Sequence, residues 1–504
     1  MTIFRNNPFR PVPDAPLYQQ LYTHLQAAIL SGQLKGGLKL PSTRALADEL
    51  GLSRNTVLNA YEQLMAEGYL ESVAGSGTFV AHVLPDLLLT TPDRTVPTAT
   101  QPPGAGSPQP ILSQRARQIT SPQISALLPR LNGGRPRPFL FGIPALDAFP
   151  IKLWSRLVVR RARRLNSNMF TYQAPAGYRP LREAIAAHVT VSRRIRCTPE
   201  QIVIVSGSQE ALNLAARMLL DAGDPVWMED PGYWGARGAL LSVGARLIPV
   251  PVDHEGLVVT AGIARAPQAR LVYVTPSHQF PLGVTMSLAR RLALLDWAKR
   301  AKVYILEDDY DSEYRFTGRP LPALQGLAER EAERVIYIGT FSKVLFPALR
   351  IGYLILPPPL VEPFLTVRGL VDFHTPILEQ AVLADFMIEG HFRRHLRRMR
   401  TLYAERRAAL LEAVRELPLE IDSAETGLHC IGWLPAGLDE VALVRQAVAN
   451  DLNLLPVSTY SLEPLARQGL VLGYAAYSIP EIQDAVRRLA AVMRSVYYPS
   501  RRRS

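Results

Sequence analysis

Lys343 stands in the middle of "IYIGTFSKVLFPALRIGY", residues 336–353, a run that is apolar almost throughout. Burying an ammonium among such neighbours is costly unless something takes up its charge or its proton. The amine therefore invites a chemical role. Three other apolar runs end in groups that could share one. "YILEDDYDSEY" closes on Asp308 and Tyr310, and "IVIVSGSQEAL" passes through Gly207, Ser208 and Gln209 into a helix. "VWMEDPGYWG" leaves Tyr233 on a loop. Free N–H groups at a helix start attract phosphate, and the ends of strands are where open α/β sheets bind ligands.

Together these four strand ends offer an amine, a phosphate cradle, a carboxylate and an aromatic ring. A pyridine aldehyde phosphate, pyridoxal 5'-phosphate, calls for those four groups. Lys343 would form the imine, Asp308 would hold the ring nitrogen protonated and Tyr233 would stack on the ring. The helix start at residues 207–209 would take the phosphate. Thr340 and Arg350, on either side of Lys343, can add phosphate contacts. Each residue alone has a plainer reading: a solvated lysine, a capping acid, a core tyrosine. Their joint occurrence in this chain order is the specific signal.

The elements that must position them are legible as well. Short β-branched runs ("QIVIVSG", "DPVWMED", "ARLVYVTP", "KVYILEDD", "RVIYIGT", "IGYLILP") alternate with amphipathic stretches such as "LARRLALLDWAKRAK". That alternation predicts a large parallel-sheet domain covered by helices on both faces. A smaller C-terminal α/β subdomain is expected over about 370–504. Ahead of this body, residues 83–138 are rich in Pro, Thr, Gln, Ser and Gly and read as a linker. Residues 1–82 form a separate module.

With 504 residues, more than one core is expected. No run reaches the length of a membrane span, and the start "MTIFRNNPFRPVPD" has no signal-peptide core. Two cysteines, Cys197 and Cys430, provide neither a disulfide framework nor a metal cluster, and the expected location is cytoplasmic. The net charge of +12 is unevenly placed. Residues 1–82 balance six basic against six acidic side chains, whereas 111–164 hold eleven basic residues against Asp147 alone. A solvated face is the common explanation for such runs.

The first module orders helix, helix, tight turn, helix and hairpin. Ser42 and Ser53 are placed to cap the second and third helices, and Gly51 supplies the bend in the turn "LGLS". The third helix opens Ser53-Arg54-Asn55-Thr56, polar groups able to reach phosphates and base edges. Val57, Tyr61, Leu64 and Met65 face the other way. The hairpin "YLESVAGSGTFVA" ends in a glycine-rich tip that can approach a sugar-phosphate backbone closely.

Over these sixty-odd residues, "LPSTRALADELGLSRNTVLNAYEQLMAEGYL" and its Gly-rich wing resemble the winged helix-turn-helix of the GntR regulators. The resemblance implies DNA contacts from Arg44, Ser53, Arg54, Asn55, Thr56 and Gly77. Residues 139–504 resemble the fold-type I pyridoxal-phosphate aminotransferases, and the whole chain resembles the MocR subfamily of GntR regulators. By that resemblance Tyr310 contacts the cofactor's phenolate oxygen and His278 supplies a second ring contact. Tyr172, in "FTYQAPAGYRPLREAI", would reach the phosphate of a neighbouring subunit, so a homodimer is implied.

The pattern departs from aminotransferases where these clamp a substrate carboxylate. Val471 in "GLVLGYAAYS" stands where their arginine is expected, and Gly235 where some amino-acid-sensing relatives carry another, with Arg237 close by. A bidentate arginine has no neutral substitute. The expected function is a regulator of operator DNA whose aminotransferase-like domain senses pyridoxal phosphate or an adduct of it, with an amine lacking a paired carboxylate fitting better than an α-amino acid. The alternatives are a working aminotransferase with a DNA-binding module and a sensor in which an amino acid replaces Lys343 on the cofactor.

Overall fold

The computed structural model describes residues 9, 11–12, 15–82, 111–120, 136–165, 167–318, 321–328, 331–422 and 426–497. The chain separates into two compact units, Met1–Gln109 and Pro110–Ser504.

In the first unit the helices are α1 (Leu17–Leu30), α2 (Thr43–Leu50) and α3 (Arg54–Ala66). They are followed by an antiparallel hairpin of β1 (Leu70–Val73) and β2 (Gly77–Val80), in which Val73 pairs with Gly77. Apolar residues at helical spacing bury one stripe of each helix. Leu21, Leu25 and Ile29 of α1 meet Leu46 of α2 and Val57, Tyr61 and Leu64 of α3 in one core. Met65 is half-buried against it. The Ser42 hydroxyl accepts the Ala45 N–H at 3.2 Å and Ser53 accepts that of Thr56 at 3.1 Å, which fixes both helix starts. Gly51 ends α2 in the left-handed region at φ +66°.

The second unit is built on an eight-stranded sheet. Its strands are β3 (Ile202–Val205), β4 (Pro225–Asp230), β5 (Arg246–Asp253), β6 (Gly256–Leu257), β7 (Leu271–Val274), β8 (Tyr304–Asp309), β9 (Val335–Thr340) and β10 (Gly352–Ile355), in spatial order β3-β10-β9-β8-β7-β4-β5-β6. Every residue of β3, β4, β7, β9 and β10 is buried, as expected for a sheet covered on both faces. The pairs β5–β4–β7–β8–β9 are parallel. The sheet is nonetheless mixed. β10, expected to be parallel with the rest, runs antiparallel to both β9 and β3. Only residues 341–351 join it to β9, without a crossover helix, and a parallel return requires one.

The C-terminal part adds a second, antiparallel sheet of β11 (Glu420–Asp422), β12 (His429–Trp433), β13 (Leu455–Pro456) and β14 (Gly469–Gly473), in the order β11-β12-β14-β13. The 23-residue helix His391–Ala413 leads into it and packs on the last helix, Ile479–Tyr497. Within the stretch read as linker, Gln114–Ile119 forms a short helix against the helix Trp234–Ser242. Among the described residues no helix is long and apolar enough to cross a membrane.

Candidate functional site

The ends of β3, β8 and β9 bring the singled-out residues of the second unit to one edge of the sheet. Lys343 follows β9 by three residues, and its Nζ donates to the Gly142 carbonyl at 2.7 Å. Burial pulls its ammonium down to about 8, although the nearby carboxylates of Asp311 and Asp308 favour the charge. The neutral amine is therefore reached at lower pH than for an exposed lysine.

Asp308, on β8, is buried. Its Oδ2 accepts the Tyr273 hydroxyl of adjacent β7 at 2.8 Å, and its Oδ1 is buried with no partner among the described residues. Burial pushes the carboxyl up to about 7, with the Tyr273 hydroxyl pulling the other way. An orphaned carboxylate oxygen in a dry site is expensive to keep. It is fitted to an N–H donor that arrives with a ligand.

Two residues further on, the Tyr310 hydroxyl lies 3.0 Å from His278 Nδ1. The same nitrogen is 3.0 Å from each carboxylate oxygen of Asp311, and His278 Nε2 is buried without a partner among the described residues. His278 thus joins the ring site through Tyr310 and is oriented by a carboxylate. Asp311, the third acid of "EDDYD", was not singled out in the sequence, although it stands in the same run.

The anion cradle is assembled from separate segments. Gly207, at φ +85°, caps the helix Ser208–Leu219, whose first-turn N–H groups lack intrahelical acceptors. The Arg350 guanidinium donates to the Ser206 carbonyl at 2.6 Å and lies over Gly207, where a Cβ would come within 3.1 Å of it. Thr340 is nearly buried at the end of β9, and its hydroxyl accepts the Ser342 N–H at 3.2 Å. The Gln209 side chain donates one amide N–H to the Gly235 carbonyl at 2.9 Å.

Tyr233 precedes the helix Trp234–Ser242, and its ring folds back over Gly235. A Cβ at that position would stand 2.4 Å from the ring. The absence of a side chain at residue 235 therefore seats Tyr233. Val471 is fully buried in a cluster with Phe280, Ile431, Val457 and Tyr460, against which Phe141, Tyr233 and Tyr310 pack. The place expected to hold a carboxylate clamp is an apolar, aromatic wall. Arg237, one turn along the helix from Tyr233, has a buried Nε without a partner among the described residues, and burial lowers its pKa.

Tyr172 does not join this group within the chain. It is 84% exposed, with its ring 5.1 Å from that of Phe373. Sequence reasoning also missed Tyr273, Gly142, Phe141, His429 and Tyr460, which approach the site from distant segments, and Phe280, two residues beyond His278. Only aromatic content marked any of them.

In the first unit, Arg44, Ser53, Arg54 and Asn55 are exposed on α2 and the start of α3. Thr56 is half-buried, its hydroxyl 2.8 Å from that of Ser53. Gly77 opens β2 at φ +117° beneath the Lys39 side chain, whose Cε would lie 3.0 Å from a Cβ there.

Comparison with known proteins agrees with both halves. Residues 17–80 match the family of bacterial regulatory proteins of the gntR type, and residues 152–489 match the aminotransferases of class I and II. The chain is 42% identical over 480 residues to the probable rhizopine catabolism regulatory protein MocR of Rhizobium meliloti, covering 94% of this chain and 93% of that protein. It is 32% identical over 488 residues to the pyridoxine biosynthesis transcriptional regulator PdxR of Corynebacterium glutamicum, covering 95% and 97%. Among solved structures, the α-aminoadipate aminotransferase LysN of Thermus thermophilus superposes with a TM-score of 0.70 at 31% identity, covering 77% of this chain and 98% of that one. A DNA-reading winged helix-turn-helix joined over nearly full length to an aminotransferase-like body places this chain in the MocR subfamily of GntR-type transcriptional regulators.

Proposed function

We propose that the second unit binds pyridoxal 5'-phosphate at Lys343, and that the bound cofactor or its adduct sets how the chain engages operator DNA. The observation that carries this reading is the orphaned Oδ1 of Asp308, on the strand next to the one that leads to Lys343. When bound, the cofactor supplies an aldehyde to the amine and an electron-withdrawing ring. Lys343 would present its amine as the nucleophile, and Asp308 Oδ1 would accept the ring N–H. Tyr233 would cover the ring. Tyr310, held by His278, would contact the phenolate oxygen. The N–H groups of Ser208 and Gln209, with Gly207 leaving room beside them and with Thr340 and Arg350, would take the phosphate.

Tyr172, exposed in its own chain, would complete the phosphate site of a second copy, which makes the functional form a homodimer. Light scattering on the cofactor-loaded protein tests this, since a monomer with full occupancy excludes a shared site. The reader's contacts are assigned to Arg44, Ser53, Arg54, Asn55, Thr56 and Gly77, on α2, α3 and the wing. Cofactor-free and cofactor-loaded protein should be compared on the DNA upstream of the gene. Equal affinity and equal footprint in both states count against regulation by the cofactor. A transaminase assay across amino donors separates the regulator from a working aminotransferase.

A further inference from the structure

The chain's excess of positive charge does not lie in the DNA-reading unit, which is balanced over residues 1–82. Much of it lies on the helix Ile151–Ala162 and the start of the helix His391–Ala413. On the first of these, Lys152, Arg156, Arg160 and Arg163 recur at spacings of four, four and three residues, which puts them on one face. Arg156, Arg160, Arg163 and Arg164 line an open groove of about 420 Å³ with Ser155 and Val159.

The second helix joins this surface at Glu389. That carboxylate is bonded to Arg160 from one helix and lies 3.2 Å from His391 Nε2 of the other. Arg398 also reaches across and donates to the Ala148 carbonyl. Arg160 of the first helix and His391 of the second therefore meet at one carboxylate, and Arg398 reaches the segment that precedes the first helix. Asp385 and Glu389 are the acids bonded to this face, and they neutralise Arg160 and Arg161. Lys152, Arg156, Arg163, Arg164, Arg393 and Arg397 are exposed and have no acidic partner among the described residues.

We infer that this face is a second, sequence-independent contact for duplex DNA, on the aminotransferase-like body itself. Lys152 to Arg163 spans about 16 Å of helix axis at 1.5 Å per residue, a length over which a duplex carries roughly ten phosphates. The guanidinium groups of Arg156, Arg163 and Arg164 along this groove, with the Lys152 ammonium on the same face, match a polyanion in both charge and hydrogen-bonding geometry. A second copy docked here about a two-fold axis would press like charge on like charge. The reader on the same chain makes DNA the polyanion at hand. The face would engage backbone flanking the bases that α3 reads, adding affinity without adding sequence preference.

The test uses the full-length protein and a duplex extending two helical turns beyond the site protected by the reader. Binding is measured against salt for the unmodified protein and for Arg156→Gln/Arg163→Gln/Arg164→Gln. Each lost phosphate contact flattens the plot of log affinity against log salt by about 0.9, so the triple variant should lose a slope of roughly 2.7. The corresponding Arg→Lys variant should keep the slope, because it keeps the charge. Sedimentation and thermal melting of both variants report assembly and folding. An unchanged slope in a folded triple variant overturns the inference. A slope lost only together with the oligomer also overturns it, since the face would then join copies of the chain. If the glutamine variant does not fold, a flattened slope in the single variant Arg156→Gln supports the inference and an unchanged one overturns it.

Discussion

Asp308 accepts the Tyr273 hydroxyl on one carboxylate oxygen at 2.8 Å, and its other oxygen is buried with no partner among the described residues. The two residues come from neighbouring parallel strands, and both are sealed from water. This pairing holds a carboxyl group in a setting that suits it only when protonated or when a cationic donor arrives.

A pH dependence follows for the cofactor-free protein. The unfolded chain releases the Asp308 proton near the ordinary carboxyl value, whereas the folded chain holds it to about 7. Between those limits the unfolded state carries fewer protons, so stability falls as pH rises, by at most about 1.4 kcal/mol per pH unit for one proton. Below both values the group contributes nothing. Asp308→Asn should flatten the fall between pH 4.5 and 7 without abolishing it, because Glu229 and Glu307 are also pushed up to about 7 by burial. Urea midpoints across that range provide the measurement, and identical pH dependence in both proteins counts against the buried-proton account.

Lys343 makes a prediction about rate. With its ammonium drawn down to about 8, the neutral amine should accumulate as pH rises through that value. Capture of pyridoxal phosphate, followed by its visible absorbance, should therefore speed up to about pH 8 and level off above it. An unperturbed lysine would keep accelerating toward its model-peptide pKa, roughly two units higher. Lys343→Ala should remain colourless. Borohydride reduction and peptide mapping should label Lys343, and a label on any other lysine would sink the assignment.

The reader lends itself to separation of roles. Arg54 and Asn55 are exposed at the start of α3, so replacing either by alanine should cost roughly 1–3 kcal/mol on the operator if it reads a base edge. Arg44→Ala should weaken operator and scrambled duplex alike, the mark of a phosphate contact. Ser53→Ala removes the acceptor for the Thr56 N–H and should lower stability by about 1 kcal/mol. Titrations on both duplexes at one salt concentration distinguish these outcomes. Operator binding by Arg54→Ala as tight as that of the unmodified protein would remove α3 from the recognition role.

The parts of this site that could be read in the sequence are those in which the informative residues are neighbours along the chain. Lys343, Asp308 and Gly207 each follow an apolar run, so their placement at strand ends needs only local pattern. The pairs that tune them do not share that property. Asp308 and Tyr273 are 35 residues apart, and Lys343 finds its acceptor 201 residues away at Gly142. Those contacts depend on strand order and register, which apolar runs do not encode. The same ambiguity concealed the direction of β10, since a fully buried strand has the same composition whichever way it runs. Gly235 showed another limit. In the sequence it looked like a missing arginine, whereas in the fold it is the space into which the Tyr233 ring lies.

Val471 carries the last prediction, that common α-amino acids are poor effectors of this regulator. Its side chain is fully buried against Phe280, Ile431, Val457 and Tyr460. A substrate carboxylate brought there would lose its water and find no guanidinium, a penalty of several kcal/mol and thus orders of magnitude in affinity. Gly235 cannot supply the clamp without displacing Tyr233. Arg237 is the nearest substitute along the chain, and its buried Nε, without a partner among the described residues, makes it the residue to exclude. Adding α-amino acids to the cofactor-loaded protein should leave its visible spectrum and its DNA footprint unchanged, whereas pyridoxal phosphate added to cofactor-free protein should change both. Val471→Arg should cost about 3–5 kcal/mol of stability, the usual penalty for a buried charge without a partner. A clear spectral shift with an amino acid in the unmodified protein, abolished by Arg237→Ala, would overturn the prediction and make Arg237 the carboxylate clamp of an amino-acid sensor.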